Sequence, residues 1–224
     1  MYGQGLDWAS LLVCRLNGID FEKYVEENVA EPLGIASFTW HLPRKPHVEE
    51  KLMRMSTRGP DGMLVDGADL VFPAPEVEGG SGGLGMYANV PDYVRVLADL
   101  LKDCPVLLKK ETVDLLFEAQ FPPDSKTLHT LDANSHMYKH MTRGVGPGYC
   151  NYTIGGLLVI KDIEYEGYFK PQGTMTWDGK PNLHWSINRR RGLALMFATQ
   201  VLPSGDAKMQ TLSRVFETAA WRNL

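Results

Sequence analysis

The glycine-rich stretch "EGGSGGLGMY" at residues 78–87 contains a serine in a pattern that could support nucleophilic chemistry. Gly79, Ser81 and Gly83 satisfy G-x-S-x-G, the pattern of a nucleophile elbow. In an elbow, a strand delivers the serine to a sharp turn and a helix begins directly behind it, so that the helix N-terminus stabilises an oxyanion. Here the two prolines of "FPAPEVE" precede the serine and would break a central strand, and the next helix signal appears only near Asn89.

These surroundings favour a structural role for the glycine-rich stretch. We predict a flexible glycine corner, at which one segment of backbone passes close to another. With 22 glycines in the chain, a chance match to G-x-S-x-G is not surprising. An α/β-hydrolase that uses Ser81 stays an alternative, although the alternating strands and helices around a parallel sheet that such a fold needs are missing from the pattern.

The bulk composition indicates a globular protein without a nucleic-acid partner. The chain has 224 residues, of which 44% are hydrophobic and 22% charged, enough for one large domain or two small ones. Its net charge is −4, which provides no electrostatic footprint for nucleic acid. The only basic run is Arg189, Arg190 and Arg191; Gly192 follows it, and we predict a charged hairpin turn there.

The cysteines and histidines predict neither a metal site nor a cofactor. Cys14, Cys104 and Cys150 are widely separated and form no C-x-x-C pair, which favours reduced thiols in a cytoplasmic protein. His136 and His140 are four residues apart but lie in a polar, glycine-containing stretch. The sequence shows no signal-peptide pattern and no apolar run long enough to span a bilayer, so we expect no membrane partner.

The order of the predicted elements is typical of an α+β fold. Residues 1–148 form a helical and loop-rich region, and residues 149–224 form an antiparallel sheet followed by a C-terminal helix, both within one domain. We expect each terminal helix to bury one apolar face. For the first helix that face comprises Leu6, Ala9, Val13 and Leu16, and for the last it comprises Met209, Leu212, Val215, Phe216 and Ala219.

Three separated stretches together resemble one known family. "MYGQGLDWASLLVCRLNG" resembles the tyrosine box of the serine β-lactamase and penicillin-binding-protein superfamily, in the "Y-G-x-G-x-D-W" form of fungal esterases and acyltransferases such as the statin transesterases. "EVEGGSGGLGMYANVPDYVRVLADLL" resembles the Gly-Gly segment and "DY" helix of that family. "WDGKPNLHW" resembles its third motif, which is Lys-Thr-Gly in β-lactamases. The resemblance implies a partial β-lactamase/transpeptidase-like fold.

The resemblance also implies acyl transfer through an acyl-enzyme on a small-molecule substrate. Tyr2 would be the general base, for which the pKa of its phenol must fall from about 10 through nearby positive charge. Gln4 could donate to a substrate carbonyl, Trp177 would form a wall of the acyl pocket, and the Gly179-Lys180 segment would supply a backbone N–H to the oxyanion hole.

Alternative roles remain open at the third motif. Trp177 and Trp185 could instead be aromatic side chains that pack on the sheet, and His184 could be an ordinary strand residue facing one side of it. Asp178 occupies a position at which the related esterases have glycine. Its negative charge would destabilise an oxyanion unless the carboxylate points away from the oxyanion.

The nucleophile of the family is missing from this chain. The family places it in Ser-x-x-Lys, which lies upstream of the tyrosine box and brings both side chains to one face of a helix. None of the nine serines has a lysine three positions later: Ser10, Ser37, Ser56, Ser81, Ser125, Ser135, Ser186, Ser204 and Ser213. We therefore expect a truncated member that is inactive by itself. An open strand edge and exposed apolar surface would then favour pairing with the missing N-terminal half or self-association. A non-catalytic ligand-binding or interaction module is the alternative.

Overall fold

The computed structural model describes residues 3–67, 80–137, 141 and 146–223. The helices are α1 (Gly5–Asn17), α2 (Phe21–Val25), α3 (Glu31–Leu33), α4 (Pro46–Glu49), α5 (Val90–Asp99), α6 (Lys110–Leu116), α7 (Lys126–Ala133) and α8 (Ala207–Arg222). The strands are β1 (Ser56–Arg58), β2 (Leu64–Asp66), β3 (Cys150–Tyr152), β4 (Leu157–Val159), β5 (Ile163–Tyr165), β6 (Tyr168–Lys170), β7 (Met175–Gly179), β8 (Leu183–Asn188), β9 (Leu193–Phe197) and β10 (Val201–Leu202).

The helix ends follow local signals in the sequence. Gly18 closes α1 in the left-handed conformation, which glycine adopts without the steric cost of a Cβ. The Asp20 side chain caps α2 by accepting from the Lys23 N–H at 2.9 Å. Asn89 caps α5 in the same way through the Asp92 N–H at 2.8 Å. Each of these boundaries coincides with a residue type that commonly caps helices.

A five-stranded antiparallel sheet forms the C-terminal half, in the order β3-β4-β7-β8-β9. β5 and β6 form a separate hairpin, and β10, β1 and β2 form a small sheet in which β1 runs parallel to β10. The predicted order of helices, antiparallel strands and a last helix is confirmed, so the fold is α+β. The small sheet joins the two predicted regions, because β1 belongs to the first and β10 to the second.

The predicted hairpin turn at the three arginines is confirmed. The helix α7 was not predicted. Residues 189–192 form the turn between β8 and β9, where Arg189 pairs with Asp114 and Arg191 lies over the Phe169 ring. In a polar stretch for which no helix was predicted, Ser125 caps α7 by accepting from the Leu128 N–H at 3.2 Å.

The predicted inward faces of the two terminal helices are wrong. On α1, Leu6 and Leu16 are 63% and 75% exposed, and the residue that the structure buries is Ser10. On α8, Leu212 and Val215 are 53% and 62% exposed. The buried residue of α1 is Ser10, and those of α8 are Ser213, Glu217 and Trp221, so two of the three buried residues of α8 are polar. A periodic pattern shows which side chains share a face but not what lies opposite that face.

A buried ionic cluster explains the polar inner side of α8. The Glu217 carboxylate of α8 lies 3.1 Å from Lys170 Nζ and 2.9 Å from His184 Nε2, both on the sheet side. The hydroxyls of Ser186 and Tyr168 donate to the same carboxylate at 3.0 and 2.8 Å. All five side chains are buried. Buried charges are tolerated when they are paired and hydrogen-bonded, and here that pairing fixes α8 to the sheet.

Several buried carboxylates have lowered pKa values, from which we predict that the protein loses stability in acid. Hydrogen bonds from Arg58 lower the pKa of Asp206 despite its burial. At Asp99, burial raises the pKa, but the Leu107 N–H, the Lys102 ammonium and the Val106 N–H together outweigh it and leave the pKa below its usual value. A carboxyl with a lowered folded-state pKa stabilises the protein above its unfolded pKa, and this contribution is lost as the pH falls through the folded-state value.

We therefore expect the free energy of unfolding to fall as the pH drops below about 4, as measured by urea denaturation at a series of pH values. The Asp99→Asn variant should show a shallower fall over the same range. A free energy that stays constant down to pH 2, or the same slope in the variant, would contradict the assignment.

Candidate functional site

The residues implied by the family motifs lie on two parts of the fold. Tyr2 is outside the described residues. Gln4 is exposed at the N-terminus of α1, where its carbonyl accepts from the Trp8 N–H at 3.1 Å. Trp177, Gly179 and Lys180 lie together at the end of β7. The described contacts of α1 connect it to the glycine-rich corner rather than to β7.

Trp177, on the central strand β7, is one of a row of three aromatic side chains. Its ring is 5.9 Å from that of Tyr152, which is 5.8 Å from that of Phe121. The half-buried Trp177 also packs against a buried cluster formed by Met141, Cys150 and Leu157. Because part of the indole is exposed, this geometry suits both a packing residue and a wall of an acyl pocket.

Asp178 and Trp177 point to opposite faces of the sheet, since neighbouring residues in a strand alternate in direction. Asp178 pairs across the hairpin with His184, whose ring reaches Glu217 of α8. The Asp178 side chain is therefore on the α8 side, away from the Trp177 face. His184 is a buried member of the ionic cluster, as expected for a strand residue that faces one side of the sheet.

The end of the β7–β8 hairpin is held tightly. A Cβ on Gly179 would approach the Leu183 side chain at 3.0 Å, so this position suits a glycine. Asn182 in the turn donates to the carbonyls of Val201 and Pro203 at 2.8 and 3.0 Å, and accepts from the Gly205 N–H at 2.9 Å. These contacts fix the turn to the segment before α8, and with it the backbone at Gly179 and at the exposed Lys180.

The glycine-rich corner packs directly on α1. The Ser81 hydroxyl donates to the Asp7 carboxylate, and the Gly83 N–H donates to Asp7 Oδ1 at 3.2 Å. One turn further along α1, Ser10 Oγ accepts from the Gly82 N–H at 3.1 Å. A Cβ on Gly82 would lie under 3.0 Å from the Leu6 carbonyl oxygen. This is the close approach of two backbones that the sequence predicted, and it requires glycine.

The opposite side of the corner is held by Trp40. Its indole N–H lies 3.0 Å from both the Ser81 and the Leu84 carbonyl oxygens. Gly80 has a φ of 82°, and a Cβ there would meet the Trp40 ring at 3.2 Å. The Trp40 backbone N–H donates in turn to Glu22 of α2 at 2.9 Å. The corner is thus anchored on both sides.

Glu22 fixes the segment that contains Trp40. Its carboxylate accepts from Thr39 Oγ1 at 2.5 Å, contacts His41 Nδ1 at 2.5 Å and pairs with Arg44 Nη1 at 2.9 Å. Burial raises the pKa of Glu22, but hydrogen bonds from Thr39, His41 and the Trp40 backbone outweigh it and leave the pKa below its usual value. Glu22 therefore accepts these bonds as a carboxylate at neutral pH.

Ser81 has no activating base in the described structure. Its hydroxyl donates to Asp7, and among the described residues no histidine is hydrogen-bonded to it. Bends follow it, and the next helix begins only at Val90. An elbow that relies on a helix directly behind the serine is not formed, and the sheet is antiparallel. The geometry does not support an α/β-hydrolase that uses Ser81.

The buried thiol of Cys150 offers no alternative nucleophile. The three cysteines are free, and only Cys150 is buried. Burial raises the pKa of the Cys150 thiol to about 12, so it is a protonated core side chain. Within the described ranges, no group of three His, Cys, Asp or Glu residues is arranged to hold a metal ion. None of the helices in these ranges is both long enough and apolar enough to cross a bilayer.

Sequence reasoning missed Asp7 and Glu22 as organising residues. Asp7 had a signal, because it is the aspartate of the quoted "Y-G-x-G-x-D-W" stretch. Glu22 had none, because its partners at residues 39–44 lie in a loop without a periodic pattern.

Comparison with known proteins places these features in one family. A family model described as beta-lactamase matches residues 4–219. The chain is 31% identical to a monacolin J acid methylbutanoyltransferase of Aspergillus terreus, over 99% of this chain and 54% of that protein. It is 28% identical to a lovastatin esterase of Penicillium rubens, over 99% of this chain and 56% of that protein.

The fold is also similar to that of solved structures. Unliganded simvastatin synthase of Aspergillus terreus superposes with a TM-score of 0.87 at 31% identity, over 99% of this chain and 55% of that one. The resemblance inferred from the three motifs is thereby confirmed. The chain spans about half the length of the curated relatives that it matches.

Proposed function

Because this chain belongs to the beta-lactamase family, we propose that it forms part of a serine acyltransferase or esterase. It would act on a small-molecule ester or thioester through an acyl-enzyme. The observation that carries this proposal is the match over nearly the whole chain to relatives named as acyltransferases and esterases. The half-exposed Trp177 beside the fixed end of β7 supports it, because such a place suits an acyl group and a developing oxyanion.

The proposed mechanism needs a serine from outside this sequence. The serine Oγ attacks the carbonyl carbon of the substrate while Tyr2 takes its proton. The backbone N–H groups at Gly179 and Lys180 stabilise the oxyanion, and Gln4 orients the substrate carbonyl. The alcohol or thiol then leaves with the proton, and water or an acceptor hydroxyl removes the acyl group. Trp177 shields the acyl chain.

Exposed apolar surface supports the proposal that a further part of the enzyme covers this chain. On α1, Trp8, Leu11, Leu12 and Leu16 are 57–75% exposed and share one face at helical spacing. Such a stripe normally packs on a neighbouring element.

Two other exposed surfaces support the same proposal. Leu212 and Val215 of α8 lie on an apolar patch that is open to solvent. β9 is the last strand of the five-stranded sheet, and no strand among the described residues pairs with its outer edge. We propose that the polypeptide carrying the nucleophile covers these surfaces, and that the chain does not turn over substrate without it.

The test compares this chain with the same chain extended at its N-terminus by the upstream genomic reading frame. We expect the extended protein to react with a fluorophosphonate serine probe and to hydrolyse a p-nitrophenyl ester, and the 224-residue chain to do neither. In the extended protein, Tyr2→Phe should lower the rate about 10²–10⁴-fold, the usual contribution of a general base.

Two outcomes would decide against this proposal. Covalent labelling of a serine in the 224-residue chain by itself would show that the nucleophile lies within it. Ligand binding by the extended protein without turnover, unchanged by Tyr2→Phe, would indicate a non-catalytic binding module instead.

A further inference from the structure

We propose that Asn182 is a positioning residue for the backbone N–H groups at Gly179 and Lys180. This inference rests on the proposed function, in which those N–H groups stabilise the oxyanion. Asn182 lies in the turn at residues 180–182, which leads from β7 into β8. An oxyanion hole works only if its donors stay within about 2.7–3.1 Å of the oxyanion, so the backbone at this turn has to be rigid.

The backbone of the turn suits an asparagine at its third position. Gly179 and Leu183 are the last pair of the β7–β8 hairpin, so three residues connect the two strands. Asn182 has a φ of 59°, in the left-handed region that asparagine enters more readily than most residues. Three-residue hairpin loops commonly end with a residue in this region. The conformation of the turn therefore depends in part on residue 182.

The buried side-chain amide of Asn182 is hydrogen-bonded at both its nitrogen and its oxygen. Nδ2 donates to the carbonyls of Val201 and Pro203 at 2.8 and 3.0 Å, and Oδ1 accepts from the Gly205 N–H at 2.9 Å. If the turn moved away from these partners, buried polar groups would be left unpaired, which is costly. The three bonds therefore favour one position of the turn relative to residues 201–205.

Residues 201–205 form a fixed support for the turn, because other elements hold them. Val201 belongs to β10, which runs parallel to β1 and pairs with it at Ser56. Asp206, directly after this segment, caps α8 and pairs with Arg58. Loss of the asparagine amide would therefore release the turn and leave its support in place.

Packing alone does not hold the turn. A small polar cavity, with room for about one water molecule, lies between the end of the hairpin and the start of α8. Gly179 and Leu183 line it on the hairpin side, and Ser204 and Gln210 line it on the other side. Atoms that border a cavity have no packing partners on that side. The directional hydrogen bonds of Asn182 therefore set the position of the turn.

The test measures the mobility of this backbone in the 224-residue chain by ¹⁵N NMR relaxation. We expect order parameters of about 0.85 at Gly179 and Lys180 in the wild type, the value of rigid backbone. Asn182→Asp keeps the size of the side chain and its tolerance of positive φ but cannot donate to the two carbonyls. Asn182→Gly removes the side chain and leaves the φ of 59° accessible. In both variants the two order parameters should fall below about 0.6.

Asn188 provides a matched control at the other end of β8. It is also a buried asparagine, and its Nδ2 donates to the Gln172 carbonyl and to Thr174 Oγ1, each at 3.0 Å. Its Oδ1 accepts from the Arg191 N–H at 3.1 Å. Asn188→Asp therefore breaks the same kinds of bond but should leave the two order parameters unchanged. The circular dichroism spectrum shows whether each variant is folded.

A purely stabilising role for Asn182 would lower the melting temperature and leave the two order parameters where they are. That result in a folded Asn182 variant overturns the proposal. The proposal is also overturned by wild-type order parameters already below about 0.6, or by an equal fall in Asn188→Asp.

Kinetics in the N-terminally extended protein give a second readout. Asn182→Asp should lower kcat for a p-nitrophenyl ester about 10²–10³-fold, the usual effect of losing an oxyanion donor, and change KM much less. An unchanged kcat would overturn the positioning role. The relaxation measurement needs no turnover. A fall in the order parameters, in a protein that never transfers an acyl group, would therefore refute the proposed function and leave the support of the turn by Asn182 standing.

Discussion

The Glu217→Gln variant should lose about 3–5 kcal/mol of unfolding free energy, the usual cost of removing one partner from a buried ion pair. Glu217 is fully buried between Lys170 and His184, and it also accepts hydrogen bonds from two hydroxyls. The amide keeps the shape of the side chain but leaves Lys170 without its counter-charge in a low-dielectric interior. Urea denaturation at neutral pH measures the loss.

An exposed ion pair gives the matched control. The Glu164 carboxylate lies 2.9 Å from the guanidinium of Arg222, a residue of α8 like Glu217. The side chains of Glu164 and Arg222 are both exposed. Glu164→Gln should change the unfolding free energy by less than about 1 kcal/mol. Equal effects of the two substitutions would show that the ionic cluster does not hold α8 on the sheet. A Lys170→Met change added to Glu217→Gln should recover part of the loss, since it removes the uncompensated charge.

The Gly82→Ala variant should lose about 1–3 kcal/mol, the range expected for overpacking a close contact. The new Cβ would lie under 3.0 Å from the Leu6 carbonyl oxygen, and Ser10 Cβ is the next neighbour. Because a backbone atom lies opposite, α1 must move away from the corner to make room. We expect a lower melting temperature and faster amide hydrogen exchange at the Gly82 N–H, whose bond to Ser10 would lengthen.

Gly5→Ala is the control for this change. Gly5 is the first residue of α1, and a Cβ there would have nothing within 4 Å. Alanine favours helix over glycine, so this variant should be as stable as the wild type or more stable. If Gly82→Ala behaved like Gly5→Ala, the close approach of α1 and the corner would be refuted.

Features that depend on a few neighbouring residues have clear signals in the sequence. Gly18 ends α1, Asp20 begins α2 and Asn89 begins α5, because each cap is a bond between residues at most four apart. The antiparallel strands followed from short apolar runs separated by turns, whereas their order in the sheets was given only by the structure. The three motifs identified the family because they occur in the right order within that layout.

The predicted burial of the two helix faces is wrong because a periodic pattern does not show which element packs on a face. The apolar residues of α1 and α8 do share a face, as the spacing indicated, but that face is exposed in the described structure. An apolar stripe indicates burial only when its partner element belongs to the same polypeptide. The chain covers about half of its relatives, and we propose that the remainder supplies the partner.

Helix caps, the succession of short strands, the glycine corner and family membership all follow from the order of residues, since they depend on short-range bonds and on spacing. The contacts that organise the candidate site depend on the tertiary structure. Asp7 meets Ser81 across 74 positions, and His184 meets Glu217 across 33. Hydrogen bonds and ion pairs act over a few ångströms, and only the folded backbone brings such distant side chains within that range.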